Sequence, residues 1–381
     1  MVDWIWIEDD ATLAEHCQRW SQLDHIALDT EFIRERTFYP IAALIQINDS
    51  KQNYLIDPTI IDDLLPLRDL LSRSETIKVM HSCSEDLEVF SCLLDCHVEP
   101  LADTQIAAAV LGISPAIGYA NLCKELLDVD LDKGETRSNW LNRPLTESQC
   151  HYAALDVEHL LPLFDILIDR LELDRKIDIF EQECERIEIQ AQQDEDMLNS
   201  YLKLKAAWKM NPIELNRLRS IAAWREHTAR LRDIPRSHVI KDNGLLQIAS
   251  GNPLKLIEFK SLEDVSPTFV KKYGETIIEK LKEAAATDKR EFPSRMNKPL
   301  SKVQTKLMSS FRDNLRASAN TLGIAEEMLT SKRDVEKVIR ASMSQPVDLD
   351  FLMVPWRIQA FQIACDSLNI RWTSNLEPLH G

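Results

Sequence analysis

The chain changes sign half-way along its length. Residues 1–200 hold 41 Asp and Glu against 15 Lys and Arg, a net charge of −26, whereas residues 201–381 hold 21 against 30, a net of +9. A chain of 381 residues is already long for one domain, and this asymmetry points to separate domains with separate electrostatic tasks. The acidic half suits cations; the basic half suits a polyanion such as nucleic acid. With 44% hydrophobic residues, each part can bury a core. No apolar run approaches the roughly 20 residues of a membrane span, so no membrane association is expected. The start, Met1-Val2-Asp3-Trp4-Ile5-Trp6-Ile7-Glu8-Asp9-Asp10, is acidic where an export signal is basic. Eight cysteines are scattered with neither a C-x-x-C pair nor zinc-finger spacing. Free thiols in a reducing cytoplasm are the expectation.

The acidic half mixes strands and helices. Strands are expected at Trp4–Ile7, His25–Phe32, Ile41–Ile47, Tyr54–Asp57 and Ile77–His81. Turn-like residues around Pro40 and over 48–53 suggest that the second, third and fourth form an antiparallel meander. A helix over Leu64–Leu71 returns the chain to the sheet, giving a mixed sheet flanked by helices. Residues 171–200 read as an acidic helical connector. From Leu202 the chain becomes basic and helical, with a linker over Asp288–Ser301 and a third unit beyond it. The expected domains are 1–200, 210–290 and 295–381.

Acids recur at suggestive places in the first half. In His25–Phe32 the alternation puts Ile26, Leu28 and Phe32 on one face and Asp29 with Glu31 on the other. Like charges two residues apart on a strand lie roughly 7 Å apart along the backbone and raise each other's pKa. Ser82 with Glu85 forms a capping-box pattern that puts Asp86 in a helix's first turn. Thr146 with Gln149 opens a second helix, which Pro162 should kink or interrupt. On it Tyr152 and Asp156 are four apart and share a face. Each acid alone is explained by an ordinary surface or a helix dipole; three such places in one domain suit a magnesium or manganese site built from carboxylates. Two such ions activate water and stabilise in-line displacement at phosphorus. A phenol with pKa near 10 is a poor base at neutral pH, so Tyr152 is assigned to orienting the water. His81, His97 and His151 have no convergent partners in the sequence.

Asp29-Thr30-Glu31-Phe32, with Thr37-Phe38-Tyr39-Pro40 and Leu44-Ile45-Gln46-Ile47, resembles the first exonuclease motif of the ribonuclease D family. His81-Ser82-Cys83-Ser84-Glu85-Asp86-Leu87 resembles the second, and Tyr152-Ala153-Ala154-Leu155-Asp156-Val157 the third. Together they match the signature of DEDD 3′–5′ exonucleases with a tyrosine in the third motif. The basic stretch over Leu215–Lys282 resembles an HRDC domain, and the family carries a second such unit. The resemblance implies an α/β ribonuclease H-like exonuclease domain followed by two all-α HRDC-type domains. It also implies Asp29, Glu31, Asp86 and Asp156 as ligands of two divalent ions, Mg2+ or Mn2+, with Tyr152 completing the catalytic set. The implied substrate is RNA, in particular tRNA precursors with 3′ extensions, degraded to nucleoside 5′-monophosphates by a cytoplasmic monomer. The basic helical units would hold the RNA backbone, and Phe32, Phe38 or Tyr39 could stack on a base. A DNA 3′–5′ exonuclease uses the same site, and a catalytically silent nucleic-acid adaptor uses the same basic helices.

Overall fold

The computed structural model describes residues 2–131, 134–135, 138–193, 196–343 and 346–376. Asp194 and Glu195 of the expected connector, and residues 344–345 and 377–381 of the expected third domain, lie outside the described residues. The chain divides into two compact units. The first comprises residues 1–33, 42–192 and 300–381, and the second residues 34–41 and 193–299.

The first unit is built on six strands: β1 (Trp4–Ile7), β2 (His25–Ile33), β3 (Ile41–Asn48), β4 (Asn53–Ile56), β5 (Ile77–Met80) and β6 (Leu101–Asp103). Their spatial order is β1-β4-β3-β2-β5-β6. β3 and β4 pair antiparallel, with Ile45 opposite Ile56, while β1 runs parallel to β4. β2 runs parallel to β5, with His25 opposite Ile77, and β5 parallel to β6. Alternation along the strands produces two apolar faces. Ile26, Leu28, Ile45, Ile47 and Ile56 join one cluster, and Ala27 and Val79 join another on the opposite face. The mixed sheet and its flanking helices agree with the expectation from the sequence.

Two local expectations are corrected, and the interruption expected from Pro162 is located. The Ser82 capping box does not form: Ser82 adopts φ 60 and the helix begins at Ser84, with Cys83 as its cap and no side-chain cap bond. The third-motif helix breaks at His159, three residues ahead of Pro162, because the ring fits the first turn of the next helix, Leu160–Leu173. The Ile177–Gln192 helix is more than a connector, since Phe180 and Cys184 are core and Glu183 is fully buried.

Glu183 is held by one terminal nitrogen of Arg357, 2.7 Å from both carboxylate oxygens, and by Arg186 Nε at 2.9 Å. These bonds join residues 300–376 to the rest of the first unit. Lys176 Nζ donates to the Gly323 carbonyl at 2.8 Å, and Ala325 N to the Ala109 carbonyl at 2.9 Å. Gly112, at φ +71, lies so close that a Cβ would stand 2.6 Å from the Gly323 oxygen. The 300–376 region is helical, led by Lys302–Leu322 and Pro355–Ser367 around Phe311, Leu315 and Phe361. It also contains a short parallel pair, β7 (Val347–Asp348) and β8 (Trp372–Thr373).

The second unit packs the helices Pro212–Leu231, Asp242–Gly251 and Pro267–Ala286 around Leu218, Ile221, Leu245 and Ile277. Among the described residues, no helix is long and apolar enough to cross a membrane.

Candidate active site

The acids come from both faces of β2. Asp29 and Glu31 project to the side covered by the Glu147–Glu158 helix, while Thr30, between them, points to the other. That helix is fixed to the sheet at both ends. At its start the Thr146–Gln149 capping box is complete, with Gln149 N to Thr146 Oγ1 at 3.2 Å and Thr146 N to Gln149 Oε1 at 3.0 Å. Just upstream the Arg143 guanidinium donates to both oxygens of Asp57, to the Ala43 carbonyl at 2.6 Å and to the Trp140 carbonyl at 2.7 Å. At the far end the Asn53 amide donates to Glu158. Tyr152 and Asp156 are thereby held facing β2, one helical turn apart on the same face.

Asp86 arrives from the opposite face. Its helix, Ser84–Leu94, packs Leu87 and Phe90 against the cluster containing Ile26 and Leu28. The work expected of the Ser82 hydroxyl is done by Asp103, whose carboxylate accepts from Ser82 N and Cys83 N, both at 3.0 Å. It also caps its own helix through Gln105 N at 2.8 Å. Asp86 is buried, and the Thr30 hydroxyl donates to it. Thr30, Asp103, Asp57 and Arg143 are the positioning residues that the sequence reading missed. Only Asp103, an acid between a short strand and a helix, carried a sequence signal.

The electrostatics are one-sided. Burial pushes the Asp29 carboxyl well above the carboxylate range, and the charges of Asp86, Asp156 and Glu31 push it further. Burial raises Glu31 to about 9, reinforced by Asp156 and Asp86. Asp156 rises to about 7, where burial outweighs the Tyr152 hydrogen bond, and Asp86 to about 6, where burial outweighs the Thr30 bond. Tyr152 is raised by burial and by the Asp156 charge, so it remains a neutral phenol at any physiological pH. The charged neighbours that act on Asp29 are all of like sign, and a divalent cation would relieve every one of these shifts at once. The donor set is all hard oxygen, which suits magnesium or manganese over zinc. Among the described residues, no three His, Cys, Asp or Glu side chains converge into a ready-made shell. The four carboxylates therefore share a neighbourhood without closing on a common point.

The remaining candidates lie elsewhere. His81 is structural, its ring nitrogens 2.8 Å from Thr104 Oγ1 and 3.0 Å from the Ile117 carbonyl oxygen. Phe38 packs in the second unit, with the Arg236 guanidinium 4.6 Å and the Arg230 guanidinium 5.5 Å from its ring centre.

Residues 4–172 match the 3′–5′ exonuclease family model and residues 214–281 match the HRDC domain. Ribonuclease D of Pseudomonas paraeruginosa is 40% identical, the match covering 92% of this chain and 94% of that protein. The chain belongs to the ribonuclease D family. Ribonuclease D of Escherichia coli is 33% identical over 87% of this chain and 89% of its own length. The crystal structure of Escherichia coli RNase D, described as an exoribonuclease involved in structured RNA processing, superposes with a TM-score of 0.87. It is 31% identical and covers 96% of this chain and 99% of that one. As a family member, the chain is a 3′–5′ exoribonuclease, a hydrolase whose substrate is nucleic acid, with the ribonuclease H-like exonuclease fold and helical HRDC region expected from the sequence. The family assignment favours this reading over a DNA exonuclease or a silent adaptor. Enzymes of this exonuclease class use divalent metal ions.

Proposed function

We propose that Asp29, Glu31, Asp86, Tyr152 and Asp156 form the catalytic centre, and that the four acids hold two divalent ions, magnesium or manganese. The observation that carries this reading is the like-charged, half-buried cluster at the end of β2, in which each acid is forced above its ordinary pKa by burial and by its neighbours. A fold retains such a destabilising cluster where something positive is to be held there. The ions would supply activation of water and neutralisation of charge developing on the scissile phosphate. Tyr152 contributes geometry: a neutral phenol beside Asp156 orients a water and removes no proton from it. Thr30 fixes the Asp86 carboxylate from the far face of the strand. Asp29 and Glu31 lie on the face of β2 covered by the Glu147–Glu158 helix, which carries Asp156, with Asp86 completing the set.

The substrates we assign are tRNA precursors with 3′ extensions, cut from the 3′ end to nucleoside 5′-monophosphates by a cytoplasmic monomer. Residues 1–200 would form the exonuclease domain, with residues 210–290 and 295–381 as two HRDC-type domains that grip the RNA backbone without reading its sequence. A timed digestion of a 3′-extended tRNA with each metal tests this, with Asp156→Ala as control. Mononucleotides should accumulate with wild type alone; equal release by the variant would remove the acids from the mechanism. Matched single-stranded RNA and DNA in the same assay give the sugar preference.

A further inference from the structure

The second unit contains a cavity of about 800 Å³ in which the segment 34–41 forms one wall and the Pro212–Leu231 and Asp242–Gly251 helices form the other. Arg34, Arg225, Arg236 and Lys241 line it against two carboxylates, Glu35 and Asp242. Arg225 is the central group. It is only 5% exposed; its Nη1 donates to Asp242 at 2.7 Å and to the Ile240 carbonyl at 3.2 Å, while its buried Nε has no partner. A second buried donor, Thr37 Oγ1 in the wall formed by the segment, is also unpartnered. Buried polar atoms are almost always paired, and these two unpartnered donors belong to residues that line one basic cavity, which is therefore short of the acceptors a polar ligand would supply. Lys241 caps the Asp242–Gly251 helix without a side-chain hydrogen bond, so a first turn of backbone N–H groups also faces this region.

The wall formed by the segment is fixed in place. Asp233, at φ 45, accepts from Phe38 N at 2.9 Å and Tyr39 N at 3.0 Å, which pins the segment to the helices. The Phe38 ring is engaged by the Arg236 and Arg230 guanidiniums and by the Tyr39 edge. What the site offers is charge and N–H donors, not an aromatic platform for a base. We infer that this cavity is a phosphate-binding subsite for the backbone of the substrate RNA, separate from the acid cluster. The inference rests on the exoribonuclease reading and deepens it by giving the basic half a specific point of attachment.

The test is RNA affinity in EDTA, measured by fluorescence anisotropy with a single-stranded oligonucleotide, for wild type, Lys241→Glu, Arg225→Gln and Lys260→Glu. Lys260 is exposed on the same unit and outside the cavity, so it controls for net charge. Lys241→Glu should weaken binding by about fivefold to tenfold and make the log–log salt dependence shallower by about 0.7 for each phosphate no longer neutralised. Arg225→Gln should weaken it similarly if its melting curve remains cooperative, and Lys241→Glu keeps the test decisive if it does not. Lys260→Glu should change affinity by less than about twofold. Equal weakening by Lys241→Glu and Lys260→Glu would reduce the cavity to part of a diffuse field and overturn the inference, as would undiminished binding by Lys241→Glu. Displacement of RNA by 5′-AMP from wild type would assign the cavity to free nucleotide and overturn it too. Failure of the exoribonuclease reading is a different result: wild type releasing no mononucleotides with either metal.

Discussion

Replacing Asp156 by Asn should stabilise the metal-free protein at high pH while destroying its activity. The Asp156 carboxyl titrates near 7 in the folded protein against an ordinary value of 3.8. Between those values the folded protein holds a proton that the unfolded chain has released. Protonation therefore favours the fold, and stability falls as pH rises through this window and levels off above about 7. A gap of about three decades in proton affinity, at about 1.36 kcal/mol each, sets a ceiling of about 4 kcal/mol. Partial exposure of the group and its coupling to Asp86 reduce this to about 2 kcal/mol. The Asn side chain resembles the protonated acid in shape and carries no charge, so the substitution stabilises at pH 5 by roughly a third of the effect and at pH 8 by all of it. For a unit of this size about 2 kcal/mol moves the melting temperature by about 4–8 °C. The assay is a thermal melt in EDTA at both pH values, repeated with millimolar Mg2+ or Mn2+. Wild type should melt lower at pH 8 than at pH 5 and regain stability with either ion, because an ion that binds only the folded form stabilises it. Asp156→Asn should lose most of the metal response and only its own share of the pH response, because Asp29, Glu31 and Asp86 still titrate above their ordinary values. A wild-type melt that ignores pH and metal, or a variant destabilised equally at both pH values, would refute the idea that these acids repel across an empty centre.

Other outcomes follow from the same interactions. Tyr152→Phe removes the hydroxyl assigned to orienting the water and should lower kcat by about 10–100-fold with KM little changed, read from initial rates on a short RNA. Arg357→Ala strips Glu183, itself fully buried, of its strongest partner; a drop of about 3 kcal/mol is expected by denaturant unfolding. Gly112→Ala meets both a positive φ and the Gly323 carbonyl oxygen, and should cost about 2 kcal/mol or more in the same measurement.

Local pattern explains why so much was legible before the structure. Asp29 and Glu31 obey the period of a strand whose other face carries Ile26 and Leu28, and Thr146 with Gln149 formed the capping box that its spacing announced. Where the reading failed, the decisive partner was distant in sequence. Ser82 had the right neighbours for a cap, but Asp103, 21 residues on, already satisfies its backbone. Thr30 carried no mark of its bond to Asp86, 56 residues away. The acidic character of residues 171–200 suggested a connector, and only the pairing with Arg357, 174 residues downstream of Glu183, makes a buried acid there tolerable. Arg143 likewise finds Asp57 across 86 residues.

The segment 34–41 has a consequence in time. It leaves the ribosome directly after the strand bearing Asp29 and Glu31, yet the Asp233 carboxylate that holds Phe38 N lies 195 positions later. At about 5–20 residues per second, roughly 10–40 s of synthesis separate the two. Once β6 has been made, the sheet can pair while the stretch next to its acidic strand still has nothing to rest on. The growing polypeptide thus carries the acids of a nuclease, among the cell's RNA, before the wall of its own basic cavity exists.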